Sequence, residues 1–411
     1  MKKLFAFLCV IGMVFCLAAP AAAGGIDNKT NWSAEYIRTF NRNAATDYAD
    51  IAAYNPAGTV KMADGLYFNV SAQFLAKDYS NTYLGTKYEQ DEPSIIPGVF
   101  AVYSKDSWAW YAAITNTGGG GAIDYKQGTK SSIQQAALIA AGLPFAFVPP
   151  GWSITSTSAK GESFYISYTL GGAYEINNMF SVSLGARFIN ASKEQEVNAS
   201  FIHTGLGGAT ASVKADYQED ADGWGGIIGL NISPNDDLNI GIRYETKTEL
   251  DFKMKIKRDD TGTLVQGSKS TRDLPALLGI GVSYRFFKNF RAETNFTYYL
   301  NESTDWDGDE ESVDNGFDLG LALEYTVNPQ WKFSVGYLYT DVGVPVDDMN
   351  PEVPELNANT IGGGFAYSPT PKLDLNFGVG NTFYTKETQS DGTDLEKNVF
   401  FMSFGIQYKF F

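Results

Sequence analysis

Few residue types in this 411-residue chain could carry out catalysis. Histidine occurs once, as His203, which is expected on the surface of a predicted external loop, and no Gly-x-Ser-x-Gly elbow is present. No serine-hydrolase triad is therefore predicted. The acidic run at residues 305–311 suggests calcium, but its glycine is misplaced for an EF-hand loop. We therefore expect a protein that is not an enzyme, with no catalytic residue, no metal and no cofactor.

Binding chemistry is better represented, because several basic residues share the polar side of alternating segments. These are Arg187, Lys193, Arg243, Lys247 and Arg285. A cation in a pocket of low dielectric favours an anionic head group, while apolar side chains hold the rest of an amphiphilic ligand. The alternative role is structural, because nearby glutamates can pair with these cations and tie the wall together: Glu194, Glu245, Glu249 and Glu293.

A second candidate for ligand contact is the uncharged segment at residues 133–152, which is rich in apolar residues although it falls in a predicted external loop. Exposed apolar patches of this kind usually mark binding sites. We expect this loop to capture hydrophobic ligand through Leu138, Phe145, Phe147 and Trp152. The alternative is that the loop packs on its neighbours or on lipopolysaccharide.

The elements that must position these residues are β-strands. Alternation is clearest over residues 238–256, where Leu250, Phe252 and Met254 continue the parity of Leu238 and are predicted to face lipid. An apolar outside around a polar inside is expected of a membrane barrel with a hydrated lumen. The pattern predicts an all-β, antiparallel transmembrane barrel from residue 65 to residue 411, with about fourteen strands. Their predicted bounds are 65–76, 93–104, 107–117, 162–176, 179–199, 211–233, 238–256, 275–287, 290–301, 315–327, 331–341, 357–368, 372–385 and 397–411.

Short and long connections alternate strictly between these segments. The short ones include Lys105-Asp106 and Lys288-Asn289, and the long ones include residues 118–161 and 257–274. Outer-membrane barrels have short periplasmic turns and long external loops, so both termini are predicted to lie in the periplasm. No mature segment approaches the roughly 20 apolar residues of a membrane helix, so a membrane-spanning chain must here be a closed barrel.

Residues 1–23 are predicted to be a secretory signal peptide. Lys2 and Lys3 precede an apolar run, and Ala21-Ala22-Ala23 offers a cleavage site. Both cysteines, Cys9 and Cys16, lie in this segment, so the mature chain is predicted to have no disulfide and no thiolate chemistry. The formal net charge of −16 makes nucleic acid a poor partner.

Residues 24–64 are predicted to form a mainly helical hatch inside the lumen. Ser33 can cap a helix that carries Tyr36 and Phe40, and residues 44–53 can form a second short helix. Neither helix buries enough apolar surface to fold alone, so the segment needs the lumen as its host. In the motif Asn55-Pro56-Ala57-Gly58, Asn suits a helix N-cap and Pro suits the first helical position.

The chain resembles the FadL/TodX family of outer-membrane transporters for long-chain fatty acids and aromatic hydrocarbons. The resemblance rests on Asn55-Pro56-Ala57 before the first strand, Asp222-Gly223-Trp224-Gly225, Asp273-Leu274-Pro275 and Val353-Pro354-Glu355-Leu356. It implies fourteen strands, a hatch of short helices, an external apolar groove, an internal pocket and sideways ligand release through a kink in the third strand. Pro97-Gly98 falls in the second predicted strand instead and is expected to deform the wall there. The run Gly118–Gly121 at the top of the third predicted strand is a second expected weak point.

The resulting hypothesis is passive uptake of hydrophobic compounds, in first place long-chain fatty acids, across the outer membrane of a Gram-negative cell. Aromatic-hydrocarbon uptake and a general or polar-solute porin are the alternatives, and a surface adhesin or lipid hydrolase is a third class. The expected partners are the hydrophobic ligand, outer-membrane lipid, lipopolysaccharide and the barrel-assembly machinery. The protein is expected to be a monomer.

Overall fold

The computed structural model describes residues 33–140, 152–203 and 207–411. The predicted signal peptide, the first part of the hatch, and Phe145 and Phe147 lie outside the described residues, so these predictions stay predictions. Within the described ranges, no helix has the length and apolar character needed to cross a membrane.

Strands dominate the described chain, and helices are few and short. The two α-helices are α1 (Ala34–Ile37) and α2 (Lys130–Ala140), and short 3-10 helices span Ala49–Ala52, Pro56–Lys61, Asn301–Ser303, Asp309–Ser312 and Val346–Asp348. The strands are β1 (Gly65–Tyr83), β2 (Thr86–Gln90), β3 (Ser94–Lys105), β4 (Trp108–Tyr125), β5 (Trp152–Glu175), β6 (Phe180–His203), β7 (Ala209–Ile232), β8 (Leu238–Glu245), β9 (Asp251–Asp259), β10 (Lys269–Thr271), β11 (Ala276–Phe287), β12 (Phe290–Leu300), β13 (Gly316–Asn328), β14 (Trp331–Asp341), β15 (Ala358–Thr370), β16 (Leu373–Tyr384), β17 (Glu387–Thr388) and β18 (Asp394–Lys409).

These segments form one closed antiparallel barrel of fourteen wall strands, which confirms the predicted fold. Strand β18 pairs with β1 from Tyr67 opposite Lys409 to Thr82 opposite Asp394, and this pairing closes the cylinder. Strands β8 and β9 are two halves of the seventh wall strand, and β10 prolongs β11, the eighth. The short strands β2 and β17 are hairpin additions in external loops.

The two faces of the wall differ as a membrane barrel requires. On β13, Leu319, Leu321 and Leu323 are exposed on the outside, while Glu324 is buried on the inside. Aromatic pairs lie near the short-turn end, such as Trp331 against Tyr367 with ring centroids 4.4 Å apart. The outward apolar band and its aromatic border therefore match a lipid-facing surface.

One side of the barrel rises well beyond the membrane. Strands β5, β6 and β7 each contain 24 residues, whereas a membrane needs about 10 residues of tilted strand. On β7 the outward face changes from exposed Trp224 to Asp222 and Asp220. The predicted loop at 118–161 is therefore mostly regular structure, because β4 extends to Tyr125 and β5 begins at Trp152.

The seventh wall strand is interrupted, and this corrects one prediction. Residues 246–250 leave the strand between β8 and β9, and the parity of the inward-facing side chains shifts across them. Tyr244 faces outward, but Leu250, Phe252 and Met254 are buried on the lumen side. The prediction that these three residues face lipid is wrong, because a one-residue change of register exchanges the two faces of a strand.

The kink in the wall lies in the third strand, not the second. The pairing of β3 with β1 continues through Pro97, which lies opposite Ala72, but the pairing of β3 with β4 does not reach Pro97. The predicted disruption of the wall at Pro97 is therefore found on the β4 side and not on the β1 side. Strand β4 instead shifts register against β5 at Gly118 and again at Gly121. The pairing of β3 with β4 ends at Val99, which lies opposite Ile114. Both strands extend beyond this point without pairing to each other, β3 back to Ser94 and β4 on to Tyr125. On the side that faces β4, Pro97 therefore lies on an unpaired edge of β3, where its missing N–H is tolerated.

Candidate functional site

The described part of the hatch, residues 33–64, begins with a single helical turn. The Ser33 hydroxyl accepts a 2.9 Å hydrogen bond from the Tyr36 amide, which confirms the predicted cap. Helix α1 ends at Ile37, and Phe40 has a φ of 51°, so the longer predicted helix is wrong. The Phe40 ring packs edge-on against Phe401 of the wall, with centroids 5.7 Å apart. Contacts with the barrel wall, rather than a longer helix, therefore hold this part of the hatch.

Buried charges hold the middle of the hatch together. Arg42 donates to both carboxylate oxygens of Asp50, at 3.0 and 2.7 Å, and lies 2.7 Å from Asp47. Burial alone would raise the pKa of Asp47, but the charges of Arg42 and Lys332 hold it well below its usual range. The second predicted helix is only the 3-10 turn Ala49–Ala52, because these charge pairs, rather than a helical face, organise the segment.

The motif at residues 55–58 is a joint between the hatch and the wall. Pro56 begins a 3-10 helix, as predicted, but Asn55 makes no capping bond with its side chain, so its predicted capping role is wrong. Its amide nitrogen instead donates to the Ala45 carbonyl at 3.0 Å and to Asn231 of β7 at 2.8 Å. Ser181 of β6 donates a 2.7 Å hydrogen bond to the Ala57 carbonyl.

The hatch backbone lies directly against the inner wall. A Cβ atom on Gly241 would lie 1.9 Å from the Asn43 carbonyl oxygen, so a larger residue would exclude this contact. Asn239 donates a 2.8 Å hydrogen bond to the Ala44 carbonyl. Residues 33–64 therefore occupy the lumen at the periplasmic end, which opposes an open, water-filled porin.

Above the hatch, a cavity of about 840 Å³ opens towards the external loops. We call it the upper cavity. Its lining includes Lys130, Lys193, Tyr217, Met254, Arg272 and Trp306. The start of α2 borders the cavity, and Lys130 ties this helix to Asp391 of another external loop at 2.5 Å. The size lies within the range of small-molecule pockets.

Lys193 is the predicted cation that lies in the upper cavity. Its side chain is only 4% exposed, and its Nζ lies 4.0 Å from the ring centroid of Phe252 and 6.0 Å from that of Tyr165. Within the described residues it forms no salt bridge, although Glu219 lines the same cavity. An ammonium group between aromatic faces can receive an anionic head group beside an apolar surface.

The other predicted cations lie elsewhere. Arg187 and Arg243 share the carboxylate of Glu245 just above the hatch, with Arg243 Nε 3.1 Å from Glu245. Lys247 pairs with Asp273 at 2.8 Å. Arg285 is exposed on a separate cavity of about 870 Å³ at the periplasmic end. The five cations are therefore not one site, and their ligand roles stay predictions.

The apolar external segment is partly described. Leu138 on α2 and Trp152 at the start of β5 are half-buried, so neither forms a fully exposed patch. The Trp152 ring packs edge-on against His203, with centroids 5.3 Å apart. His203 is 8% exposed, which corrects the expectation that a histidine in an external loop lies on the surface. The sequence did not identify Phe252 as a neighbour of the site, because the alternating pattern predicted that its side chain faces lipid.

The closed barrel and the occupied lumen define a class of protein, an outer-membrane β-barrel with an internal hatch. The sequence profile of the family described as outer membrane protein transport protein (OMPP1/FadL/TodX) matches residues 14–403. The chain belongs to this FadL/TodX family, a family of outer-membrane transporters of hydrophobic compounds. The resemblance and the predicted outer-membrane location are thereby confirmed.

Solved structures of similar fold agree with this membership. A FadL homologue of Pseudomonas aeruginosa has 16% sequence identity and a TM-score of 0.65, covering 93% of this chain and 100% of that chain. The toluene transporter TodX of P. putida has 13% identity and a TM-score of 0.64, covering 91% and 99%. The toluene transporter TbuX of Ralstonia pickettii has 16% identity and a TM-score of 0.62, covering 91% and 99%. No curated protein sequence matched the chain.

Proposed function

We propose that this transporter takes up long-chain fatty acids, with the carboxylate held at Lys193. The observation that carries this proposal is the Lys193 ammonium group 4.0 Å from the Phe252 ring centroid in the upper cavity. A fatty acid offers both parts of the matching ligand, a carboxylate for the cation and an acyl chain for apolar lining residues such as Met254, Val265 and Trp306.

The proposed route uses binding energy and conformational change rather than chemistry. Ligand enters the upper cavity from the external side, passes the apolar residues below it and reaches the hatch. The unpaired stretch between β3 and β4 supports sideways release into the membrane, because wall pairing stops there at Val99 and Ile114. The hatch at residues 55–58 must shift for passage, so uptake depends on the population of a released hatch.

The test compares an acid with a neutral ligand in the wild type and in Lys193→Met. Oleate and toluene binding are measured on the purified barrel, and uptake is measured in a deletion strain. We expect Lys193→Met to weaken oleate binding by about tenfold or more, the loss of one charge-assisted hydrogen bond, and to leave toluene binding unchanged. Lys87→Met, which removes a surface lysine paired with Glu89, is the matched control. Equal oleate affinity in wild type and Lys193→Met would remove the head-group role.

Aromatic-hydrocarbon uptake is the second candidate. It is favoured by the aromatic rings beside Lys193, where Tyr165 and Phe252 lie with centroids 5.7 Å apart. Toluene uptake without oleate uptake would select it, and large steady conductance in planar bilayers would favour a porin. Capture through Leu138, Phe145, Phe147 and Trp152 stays a prediction, as do binding of lipopolysaccharide, delivery by the barrel-assembly machinery and a monomeric state.

A further inference from the structure

The interruption of the seventh wall strand forms a separate structural element inside the lumen. Residues 246–250, here called the strap, fold inward against β7. A Cβ atom on Gly223 would lie 2.4 Å from the Glu249 carbonyl oxygen, so the strap backbone packs against the inner face of β7 at this glycine. On its other side the strap is fixed by paired backbone hydrogen bonds between Thr248 and Leu274, at 3.0 and 2.9 Å.

The upper end of the strap is connected to the upper cavity through Lys193, which lines that cavity. Leu250 at its end and Phe252 just beyond it pack with Tyr165 and Leu274 in one buried apolar cluster. The Phe252 ring also contacts the Lys193 ammonium group. A ligand that binds Lys193 therefore acts on this end of the strap through the contact between Lys193 and Phe252.

The lower end of the strap connects to the hatch through three buried charged residues. Arg187 donates from Nη2 to the Thr248 hydroxyl at 3.4 Å and pairs through Nη1 with Glu245. Glu245 also pairs with Arg243, and Arg243 donates to the Ala53 carbonyl of the hatch. Ala53 stands two residues before Asn55, the joint to the wall. All three charged side chains are less than 10% exposed.

We propose that Arg187, Glu245 and Arg243 are positioning residues that couple ligand in the upper cavity to release of the hatch. Two guanidinium groups share one carboxylate, so the position of Arg187 sets the position of Glu245 and, through it, that of Arg243. Ligand binding at Lys193 shifts Phe252 and with it the strap, Thr248 releases Arg187, and the hydrogen bond from Arg243 to the hatch weakens. The coupling is carried by contiguous buried contacts with a defined beginning and end. The ligand-dependent part rests on the proposed function.

The ligand-dependent test uses hydrogen exchange of hatch peptides covering residues 49–61, measured in nanodiscs with and without oleate. Thr248→Val removes the hydroxyl that contacts Arg187, and Thr248→Ser keeps a hydroxyl as the rescue variant. We expect oleate to increase hatch exchange in wild type and in Thr248→Ser, and to have little effect in Thr248→Val although Thr248→Val still binds oleate. A full oleate response in Thr248→Val, or no response in a wild type that binds oleate, overturns the proposal.

A ligand-free double-mutant cycle keeps this proposal distinct from the choice of substrate. Without ligand, Arg243→Gln is expected to increase hatch exchange by about tenfold, and Thr248→Val alone by about threefold. In the double variant, Thr248→Val should add no further increase, because the connection to the hatch is already cut. Effects that simply multiply, or no effect of Thr248→Val alone, overturn the coupling. Failure of oleate to bind the wild type would reject the fatty-acid proposal, while this cycle still decides the coupling.

Discussion

The side-chain amide of Asn55 in the hatch donates a 2.8 Å hydrogen bond to the side chain of Asn231 in the wall. Both residues are almost fully buried, and the same Asn55 amide also satisfies the Ala45 carbonyl at 3.0 Å. One side chain therefore closes a turn of the hatch and attaches that turn to the barrel.

Asn55→Ala should loosen the hatch without affecting the barrel. The change leaves a buried carbonyl without its donor, which costs about 1–3 kcal/mol of hatch docking. We expect faster hydrogen exchange over residues 53–61 and unchanged heat-modifiable migration on gels. Asn381→Ala, which removes an exposed pair with Asn398 on the outer wall, is the control. Loss of heat-modifiable migration in Asn55→Ala would instead assign the motif to folding.

Gly223→Ala should displace the strap, whereas Gly226→Ala on the same strand should be tolerated. A Cβ atom on Gly223 would lie 2.4 Å from the Glu249 carbonyl, but one on Gly226 would meet nothing closer than 3.6 Å. We expect Gly223→Ala to lower barrel stability by about 1–3 kcal/mol, as overpacking does. Thermal unfolding in detergent measures this, and equal melting temperatures for the two variants would contradict the strap geometry.

Lys77→Met should loosen the kink in β4. The Lys77 ammonium group is buried and donates to the carbonyls of Gly120, at 2.9 Å, and Ala122. Its loss leaves two carbonyls at the kink without a charged donor and should cost about 1.5–3 kcal/mol locally. Hydrogen exchange over residues 116–125 should rise about tenfold, and that of Lys87→Met, a surface lysine paired with Glu89, should not. Unchanged exchange in Lys77→Met would mean that other contacts hold the kink.

Docking of the hatch should weaken as the pH rises towards neutrality. Burial, and then the charge of Asp50, raise the pKa of Glu35 from its ordinary value of 4.5 to about 7. The docked hatch thus keeps a proton that a released, hydrated hatch loses. The contribution of Glu35 to docking is full below about pH 4.5 and falls as the pH rises through about 7. Burial also raises the pKa of Asp50, which acts in the same direction.

Glu35→Gln tests this pH dependence. The amide is neutral at every pH and can still accept from Asn69 and Asn376, which donate to Glu35 at 2.7 and 2.9 Å. Hatch exchange, corrected for the intrinsic effect of pH, should rise between pH 5 and pH 8 in the wild type by up to about tenfold per pH unit. The same measurement on Glu35→Gln should show a smaller pH dependence, because only the contribution of Asp50 remains. If hatch exchange in the wild type does not change between pH 5 and pH 8, Glu35 does not titrate in this range and the prediction is wrong.

The amino-acid sequence by itself determined the class of fold. Alternation of apolar and polar residues has a period of two whatever the tertiary contacts, so it identified wall strands such as Trp331–Asp341 with correct bounds. The alternation of short and long connections then set the number of strands, and the periplasmic position of both termini stays a prediction. The motif at residues 55–58 marked the end of the hatch, because it lies just before the first strand.

Only the tertiary structure decided what the lumen contains. Residues 246–250 keep the alternating pattern of their neighbours, so the sequence does not reveal that the strand shifts register and turns Phe252 inward. The partner of Asn55 is 176 residues away, and the contact of Arg243 with Ala53 joins positions 190 residues apart. Closure of the barrel brings such residues together, and a local sequence pattern cannot predict contacts between residues that are far apart in the chain. Lys193 could therefore be predicted as a lumen cation, but its aromatic neighbour could not.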